Sequence, residues 1–428
     1  MEFFSGLRHL FVCVFLYHVS AFMVMPAMTD VTMEALCPGR DDCALAIYLT
    51  GFQQAITGIG TLMITPLVGS LSDEYGRKSL LTLPMTVAVL PLVVLASSRT
   101  RSSFFVYYAF KTLAGMVCEG SILCLSLAYV ADNVGEGRRA AAFGILSGVS
   151  VAAFVLGTLI SRLLPTTLTF QIAAITAAVA AVYMKAFLID SNSGSGAIQA
   201  ADPLKPEPCK RIPSVDDILC LLRRSLTLSQ VAMVAFFSTL ADSGLHASLL
   251  YYLKAQFHFN KDQFADLLLI VGIAGAFSQL LIMPLVAPYL REEKLLSIGL
   301  FASCVHIILY SISWSFWVPY VAATFGVMAV FIHPCMRSIV SKQVGATEQG
   351  KAQGCISSIC SFATILSPLT FTPLTALFLS DKAPFHFPGF SIMCAGFATM
   401  ISFTLSLMIR SPPPITSHKA SNASYILV

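Results

Sequence analysis

Twelve long apolar stretches constrain the fold of this chain more than any other feature. Each stretch has about the 20 apolar residues that a helix needs to cross the hydrocarbon core of a bilayer. They follow one another without overlap, near residues 7–29, 45–69, 79–97, 103–131, 140–163, 167–189, 228–252, 263–290, 295–313, 315–340, 354–379 and 388–410. The sequence therefore predicts an all-α membrane protein with twelve transmembrane helices.

The composition supports a lipid environment. Of the 428 residues, 56% are hydrophobic and 11% are charged, and the mean hydropathy is +0.79. Such a chain has too little polar surface to solvate a soluble globule of this length. The expected surroundings are a lipid bilayer. The net charge of +4 comes from loop residues and gives no reason to expect a nucleic-acid partner.

The positions of the basic residues predict the orientation. Cytosolic loops retain lysine and arginine during membrane insertion. With the N-terminus inside, 18 of the 26 basic residues fall on the cytosolic side, so we expect both termini to be cytosolic. The first apolar stretch is longer than the core of a signal peptide and is not followed by a small-residue cleavage site, which predicts a retained helix. A plasma membrane and a vacuole-like endomembrane both fit.

Two of the twelve cysteines occupy a polar loop. Cys37 and Cys43 lie in the first predicted outer loop, around a Pro-Gly pair that favours a turn. A local disulfide and two free thiols are equal alternatives there. A zinc site is disfavoured, because no histidine is near and the spacing differs from zinc motifs.

The chain divides into two halves of six predicted helices. We expect a first bundle over residues 1–189, a cytosolic linker over 190–227, a second bundle over 228–410 and a cytosolic tail over 411–428. Short sequences recur between the halves. Pro66-Leu-Val ends the second helix as Pro284-Leu-Val ends the eighth, and Ala142-Phe-Gly enters the fifth as Ala352-Gln-Gly enters the eleventh. The repeats predict pseudo-symmetric halves.

A charged segment connects the second and third predicted helices. Residues 69–78 read Gly-Ser-Leu-Ser-Asp-Glu-Tyr-Gly-Arg-Lys. The segment resembles the signature loop of the major facilitator superfamily of transporters, which has a glycine, an acid four residues on, a second glycine and two basic residues. Ala128-Tyr-Val-Ala-Asp132, at the end of the fourth helix, and the arginine pair before Gly144 make the chain most similar to the tetracycline-resistance-like branch. That branch includes the hippocampus abundant transcript-like proteins.

The resemblance implies a secondary transporter that works by alternating access. It also implies a cytoplasmic latch in which Asp73 lies near the N-terminal end of the eleventh helix, whose dipole favours an anion. The residues assigned to this latch are Gly69, Asp73, Gly76, Arg77, Lys78, Asp132 and Arg139. Because the chain has no Walker loop, nucleophile elbow or metal-ligand motif, we expect no enzymatic activity and no cofactor or metal.

Ionisable groups at membrane depth each cost several kilocalories per mole unless they meet water or a partner, and three of them stand out. They are Lys111, Glu119 and Asp242. The resemblance places the first, fourth, seventh and tenth helices around a central cavity. Lys111 and Glu119 are eight residues apart, about 12 Å along the axis, so we expect a shared wall without direct pairing. Asp242 lies one turn before His246, on the same helix face.

We interpret Asp242 and Glu119 as candidates for coupling protons to solute movement, and Lys111 as a counter-charge or solute ligand. The alternative is a structural role, in which these side chains form a hydrogen-bonded pair that holds two helices together. This alternative has more weight for His246 than for the two acids. Weaker polar candidates, for which an interhelical hydrogen bond is the expected role, are Tyr17, His18, Gln53, Gln54, Gln279 and His333. Pro334 is expected to break the tenth helix, and Gly144, Gly148 and Gly157 predict close packing between the halves.

The predicted function is transport of a small organic solute, with proton-coupled antiport as one mode. Drug antiporters of the family end the fifth helix in Gly-Pro, whereas this chain has Gly157-Thr158. The alternatives are therefore a facilitative or proton-symport carrier of the folate type, and a non-transporting receptor or scaffold with a transporter fold. The expected partners are the solute, protons and lipid, and the expected state is a monomer.

Overall fold

A computed structural model describes residues 7–36, 44–189, 223, 225–257, 261–345, 348–379 and 383–409. Twelve helices in this part of the chain are long and apolar enough to cross a membrane. Cys37, Cys43, the tail 411–428 and almost all of the predicted linker 190–227 lie outside the described residues.

Nine of these helices are continuous and three are interrupted. The continuous ones are α1 (Arg8–Leu36), α2 (Ala44–Tyr75), α4 (Arg101–Asn133), α5 (Arg139–Leu163), α6 (Thr166–Phe187), α7 (Leu226–Phe257), α9 (Glu292–Ser311), α11 (Gln349–Phe378) and α12 (Phe390–Leu407). The interrupted ones are α3 (Arg77–Val87 and Val89–Ser97), α8 (Lys261–Phe277, the π-helical turn Ser278–Ile282 and Met283–Val286) and α10 (Val318–Ala329 and Ile332–Lys342).

The break in α10 has an identifiable cause. Pro334 has no N–H to donate to the carbonyl of Val330, and the helix is interrupted between Ala329 and Ile332. This is the break that the proline predicts.

The signature segment differs from its predicted form as a loop. Helix α2 continues to Tyr75 and α3 begins at Arg77, so only Gly76 lies between them. Gly76 has a φ of 88°, a value at which a side chain is strained. The segment is therefore a sharp junction between two helices. Asp73 of α2 and Arg77 of α3 pair across this junction.

The two halves pack against each other through equivalent helix pairs. Helix α2 of the first half lies on α11 of the second, and α8 of the second lies on α5 of the first. A Cβ atom added to Gly354 of α11 would lie 3.0 Å from the Cα atom of Pro66. One added to Gly144 of α5 would meet the side chain of Met283. These contacts bring together the segments that the sequence repeat relates.

The glycines of α5 do not all serve this interface. Gly148 packs on Leu280 of α8, as predicted for contact between halves. Gly157, in contrast, faces the backbone of Val19 and Met23 in α1. The expectation was wrong for Gly157, because α5 also crosses α1 within its own half and needs a close approach there.

The apolar side chains separate into packed interiors and an exposed surface. Four clusters of buried hydrophobic residues hold the bundles together, built mainly from alanine, leucine and valine. Other large apolar side chains, such as those of Leu163, Ile175 and Leu369, are exposed on the outside of helices. In a water-soluble protein this surface would be unfavourable, whereas lipid matches it.

Candidate functional site

A carboxylate of the first half binds the backbone of the second. Asp73, near the end of α2, accepts hydrogen bonds from the N–H groups of Gly350 and Lys351, each 3.0 Å from a different carboxylate oxygen. These N–H groups belong to the first turn of α11 and have no partner within that helix. Since the helix dipole also favours negative charge at this point, Asp73 caps α11 from the opposite half.

A buried arginine joins Asp73 to a second carboxylate. The Arg77 side chain is 2% exposed and pairs with Asp73 of the preceding turn. Its Nε atom donates to Oδ2 of Asp132, at 2.8 Å, and its Nη1 atom donates to the hydroxyl of Ser72. We call these four residues the Asp73 cluster. A buried charge needs such complete pairing.

Glycines on both helices, Gly69 of α2 and Gly350 of α11, permit this close approach. A Cβ atom on Gly350 would overlap the carbonyl oxygen of Gly69 and would lie 2.5 Å from Nη1 of Arg77. A Cβ atom on Gly69 would likewise overlap the carbonyl oxygen of Gly350. Lys78, next to Arg77, is half-buried. Backbone therefore meets backbone where α2 and α11 cross.

Arg139 makes a second polar contact between the halves. At the start of α5, its Nε atom donates to the carbonyl of Val134, and its Nη1 atom donates to the carbonyl of Ser341 in α10, both at 3.0 Å. All residues assigned to the latch except Lys78 thus belong to, or directly adjoin, polar contacts at one end of the bundle. We call this end of the bundle, which contains the Asp73 cluster and Arg139, the junction end.

Sequence reasoning missed an ion pair in the second half. There the glycines and aspartate of the signature are absent, but Glu292 at the start of α9 is buried and lies 2.7 Å from Nζ of Lys342 at the end of α10. The Ser338 hydroxyl donates to the same carboxylate, at 2.9 Å. In the first half, Arg77 at the start of α3 pairs with Asp132 at the end of α4. The equivalent pair has inverted charges, which a search for the same residue types could not find.

The ionisable residues of α4 lie closer together than predicted. Nζ of Lys111 is 3.9 Å from Oε1 of Glu119, so the expectation that they would not pair directly was wrong. Both side chains reach along the helix and together cover the axial separation. They are 43% and 54% exposed, so the contact is a loose one that contributes little to stability. Glu119 points toward α2, since a Cβ atom on Gly115 would contact both Glu119 and Thr57.

The ionisable residues of α7 also face open space. Oδ1 of Asp242 is 4.0 Å from Nε2 of His246, and the two side chains are 60% and 67% exposed. Asp242 lies within electrostatic range of His306 in α9 and His333 in α10. His333 is exposed between the buried residues Ile332 and Pro334. An acidic group and histidines of three helices thus share one region of the second half.

Two of the weaker candidates, Gln53 and Gln279, form the expected interhelical hydrogen bonds, whereas His18 bonds within its own helix. His18 bonds to the carbonyl of Val14, one turn back in α1, and Gln53 donates to the Thr112 hydroxyl of α4. Tyr17 is half-buried beside the ring of His18. Gln279 donates from α8 to α10, and the side chain of Gln54 is outside the described part of the chain.

Two six-helix halves, joined at one end by an acid that caps a helix of the other half, define the architecture of a membrane transporter rather than an enzyme. The family model described as Major Facilitator Superfamily matches residues 10–368 and 231–424. The chain belongs to the major facilitator superfamily.

Similar proteins support this assignment. The human Hippocampus abundant transcript 1 protein is 24% identical over 335 residues, which are 76% of this chain and 65% of that protein. The class E tetracycline resistance protein of Escherichia coli is 24% identical over 332 residues, covering 75% of this chain and 77% of the relative. The crystal structure of the human organic anion transporter MFSD10 (TETRAN) has a TM-score of 0.77 at 18% identity. The structural match covers 94% of this chain and 98% of the MFSD10 chain. The resemblance inferred from the sequence is confirmed.

Proposed function

We propose that this chain is a secondary transporter that moves a small organic solute by alternating access, with proton-coupled antiport as its mode. The observation that carries the proposal is the cap that Asp73 of α2 forms on Gly350 and Lys351 of α11. It connects the halves at the junction end, while the ionisable residues of α4 and α7 are exposed.

The Asp73 cluster acts as the latch of the junction end. When α2 and α11 separate, Asp73 loses two hydrogen bonds to the second half, whereas its pair with Arg77 and the pair of Arg77 with Asp132 stay within the first half. Within the Asp73 cluster, the cap is thus the part that differs between the two states. A hydrogen bond to a charged group contributes about 1.5–3 kcal/mol, which is enough to bias a two-state equilibrium without making it irreversible.

The exposed ionisable residues are the coupling site. Asp242 and Glu119 bind and release protons, Lys111 is the counter-charge of Glu119 or a solute ligand, and His246 lies beside Asp242. Their exposure supports this role, because a side chain that reaches water can exchange a proton, and its substitution removes little packing.

The orientation follows from the basic residues. With both termini cytosolic, the junction end faces the cytosol and the described conformation is closed on that side. The monomeric state, the division at residues 189 and 228, and residence in a plasma or vacuole-like membrane belong to the same proposal. The names of the relatives suggest which solutes to test first, namely tetracyclines and organic anions.

Uptake into proteoliposomes tests the proposal. Labelled tetracycline, fluorescein and a panel of other organic solutes would be offered with and without an imposed pH gradient. The variants are Asp73→Asn and the double variant Asp242→Asn, Glu119→Gln, and the control is Glu74→Gln, which removes an exposed charge next to Asp73.

We expect gradient-driven flux in the wild type and the control, and its loss in both test variants. If the double variant kept the full pH dependence of transport, the proton role would be lost. Flux indifferent to the gradient would indicate a facilitative carrier. No flux across the panel would favour the receptor or scaffold.

A further inference from the structure

Two side chains of α8 bind the broken part of α10. In the π-helical turn, the Ser278 hydroxyl donates to the carbonyl of Val327 and Nε2 of Gln279 donates to the carbonyl of Val330, both at 3.1 Å. Pro334 leaves the Val330 carbonyl without its usual partner. The amide of Gln279 therefore supplies the hydrogen bond that the helix itself cannot make. Such turns, with one extra residue, are frequent at functional sites.

The same glutamine adjoins the other half of the protein. Gln279 is 5% exposed, and a Cβ atom on Gly148 of α5 would lie 3.0 Å from its Cβ atom. Its carbonyl oxygen would lie 3.7 Å from a Cβ atom on Gly144. Gln279 thus contacts α5 of the first half through its carbonyl oxygen and Cβ atom, and it binds α10 of the second half through its side-chain amide.

The α10 break controls where His333 lies. His333 is three residues beyond Val330, in the first turn of the second piece of α10. It is exposed, within electrostatic range of Asp242. Because the two pieces of α10 are joined only by residues 330 and 331, the bond at Val330 contributes to the direction in which the second piece begins. His333 lies in this first turn, so the position of its imidazole depends in part on that bond.

We propose that Gln279 is a positioning residue that transmits the packing of α5 on α8 to His333. The inference rests on the proposed function, because alternating access requires the two halves, and with them α5 and α8, to move against each other. When this interface shifts, the amide of Gln279 shifts with it and carries the Val330 carbonyl and the adjoining turn.

The hydrogen-bond inventory of Gln279 agrees with this role. Its Oε1 atom is buried and accepts no hydrogen bond from the residues that the structure describes. Keeping such an acceptor is unfavourable, so the side chain contributes through its donor. Replacement by methionine, of similar size, would remove the unpaired acceptor but leave the Val330 carbonyl unpaired, and these two effects offset each other. We therefore expect a stability close to that of the wild type and a displaced His333.

Thiol labelling at position 333 tests the proposal. His333→Cys would be placed in a chain whose own cysteines are replaced, with Gln279 or Gln279→Met, and reacted with a small cationic methanethiosulfonate in proteoliposomes. Asp242→Cys on α7 is the control reporter. We expect Gln279→Met to change the labelling rate at position 333 at least fivefold and that at position 242 less than twofold.

A second variant protects the test against misfolding. Gln279→Asn keeps an amide that is too short to reach Val330, and it should reproduce the change at position 333. If the Met variant does not elute as a folded monodisperse peak, the Asn variant decides. Unchanged labelling at position 333, or an equal change at both reporters, would overturn the proposal.

Labelling requires no transported solute. An absence of flux would contradict the proposed function while leaving the geometric part of this inference testable. Unchanged labelling with intact flux would remove the inference alone.

Discussion

Replacing Asp73 by asparagine tests whether the cap on α11 holds the junction end closed. The substitution is nearly isosteric, but one of the two acceptor oxygens becomes an amino group. One of the N–H groups of Gly350 and Lys351, each 3.0 Å from its oxygen, then faces a donor. The lost charge also ends the attraction to the helix dipole. The weakened pair with Arg77 lies within α2 and α3 and is common to both states, so it cancels.

The magnitude follows from these two losses. A hydrogen bond to a charged acceptor contributes about 1.5–3 kcal/mol, and an anion at a helix N-terminus about 0.3–1 kcal/mol. Together they favour the closed state by about 2–4 kcal/mol. Since each 1.4 kcal/mol is a factor of about ten, the open fraction should rise roughly 30-fold to several hundred-fold.

Cys124 reports the open fraction directly. Its buried Sγ atom lies 3.7 Å from the carbonyl oxygen of Gly350, at the contact between α4 and α11. A maleimide can reach this thiol only when the junction end opens, so the rate of labelling follows the population of the open state. The assay uses a variant in which Cys124 is the only cysteine, reconstituted in lipid.

Two controls separate opening from unfolding. Cys118 is buried within the first half, where its thiol donates to the carbonyl of Pro84, and as the only cysteine it should stay unreactive. Glu74→Gln removes a neighbouring exposed charge and should leave Cys124 labelling unchanged. If Asp73→Asn altered the Cys124 rate by less than threefold, the cap would not be the latch.

Two further predictions concern the junction end. Gly350→Ala should raise Cys124 labelling and reduce flux more than tenfold, because its Cβ atom would overlap a carbonyl of α2. Gly345→Ala, which meets nothing within 4 Å, should have neither effect, and equal behaviour of the two would refute the steric argument. Lys342→Met should lower the free energy of unfolding by about 3 kcal/mol, since it leaves Glu292 buried without its partner. Adding Glu292→Met should restore most of that loss in a thermal denaturation assay, and no restoration would show that the pair is not the cause.

The twelve helices could be predicted because lipid imposes a simple rule on sequence. In a helical membrane protein, every backbone polar group in the bilayer must be hydrogen-bonded within a helix. A long apolar stretch therefore predicts a transmembrane helix. The break in α10 was also predictable, since Pro334 removes a specific donor. The π-helical turn of α8 was not, because Ser278–Ile282 contains no proline or glycine and the turn depends on packing against α5.

Residues of the site could be predicted where charged residues and glycines occur together in a signature sequence. Asp73, Arg77 and Asp132 were identified from the signature residues, and they do meet. The resemblance placed Asp73 near the N-terminal end of α11, but the individual backbone donors there, at Gly350 and Lys351, have no sequence signal, since any residue has an N–H group. The distance between Lys111 and Glu119 was misjudged because helix geometry fixes backbone positions but not the reach of long side chains.

The two interfaces between the halves are related by the sequence repeat but differ in chemistry, and this difference predicts separate mechanical roles. The α2–α11 interface carries the charged cap of Asp73, an interaction that is either made or broken. The α5–α8 interface is apolar around Gly144 and Gly148, so small displacements there change contact area gradually. In the second half the acid Glu292 is paired with Lys342 of its own half. Changes at Asp73 should therefore alter how often the junction end opens, and changes at Gln279 should alter the shape of the cavity.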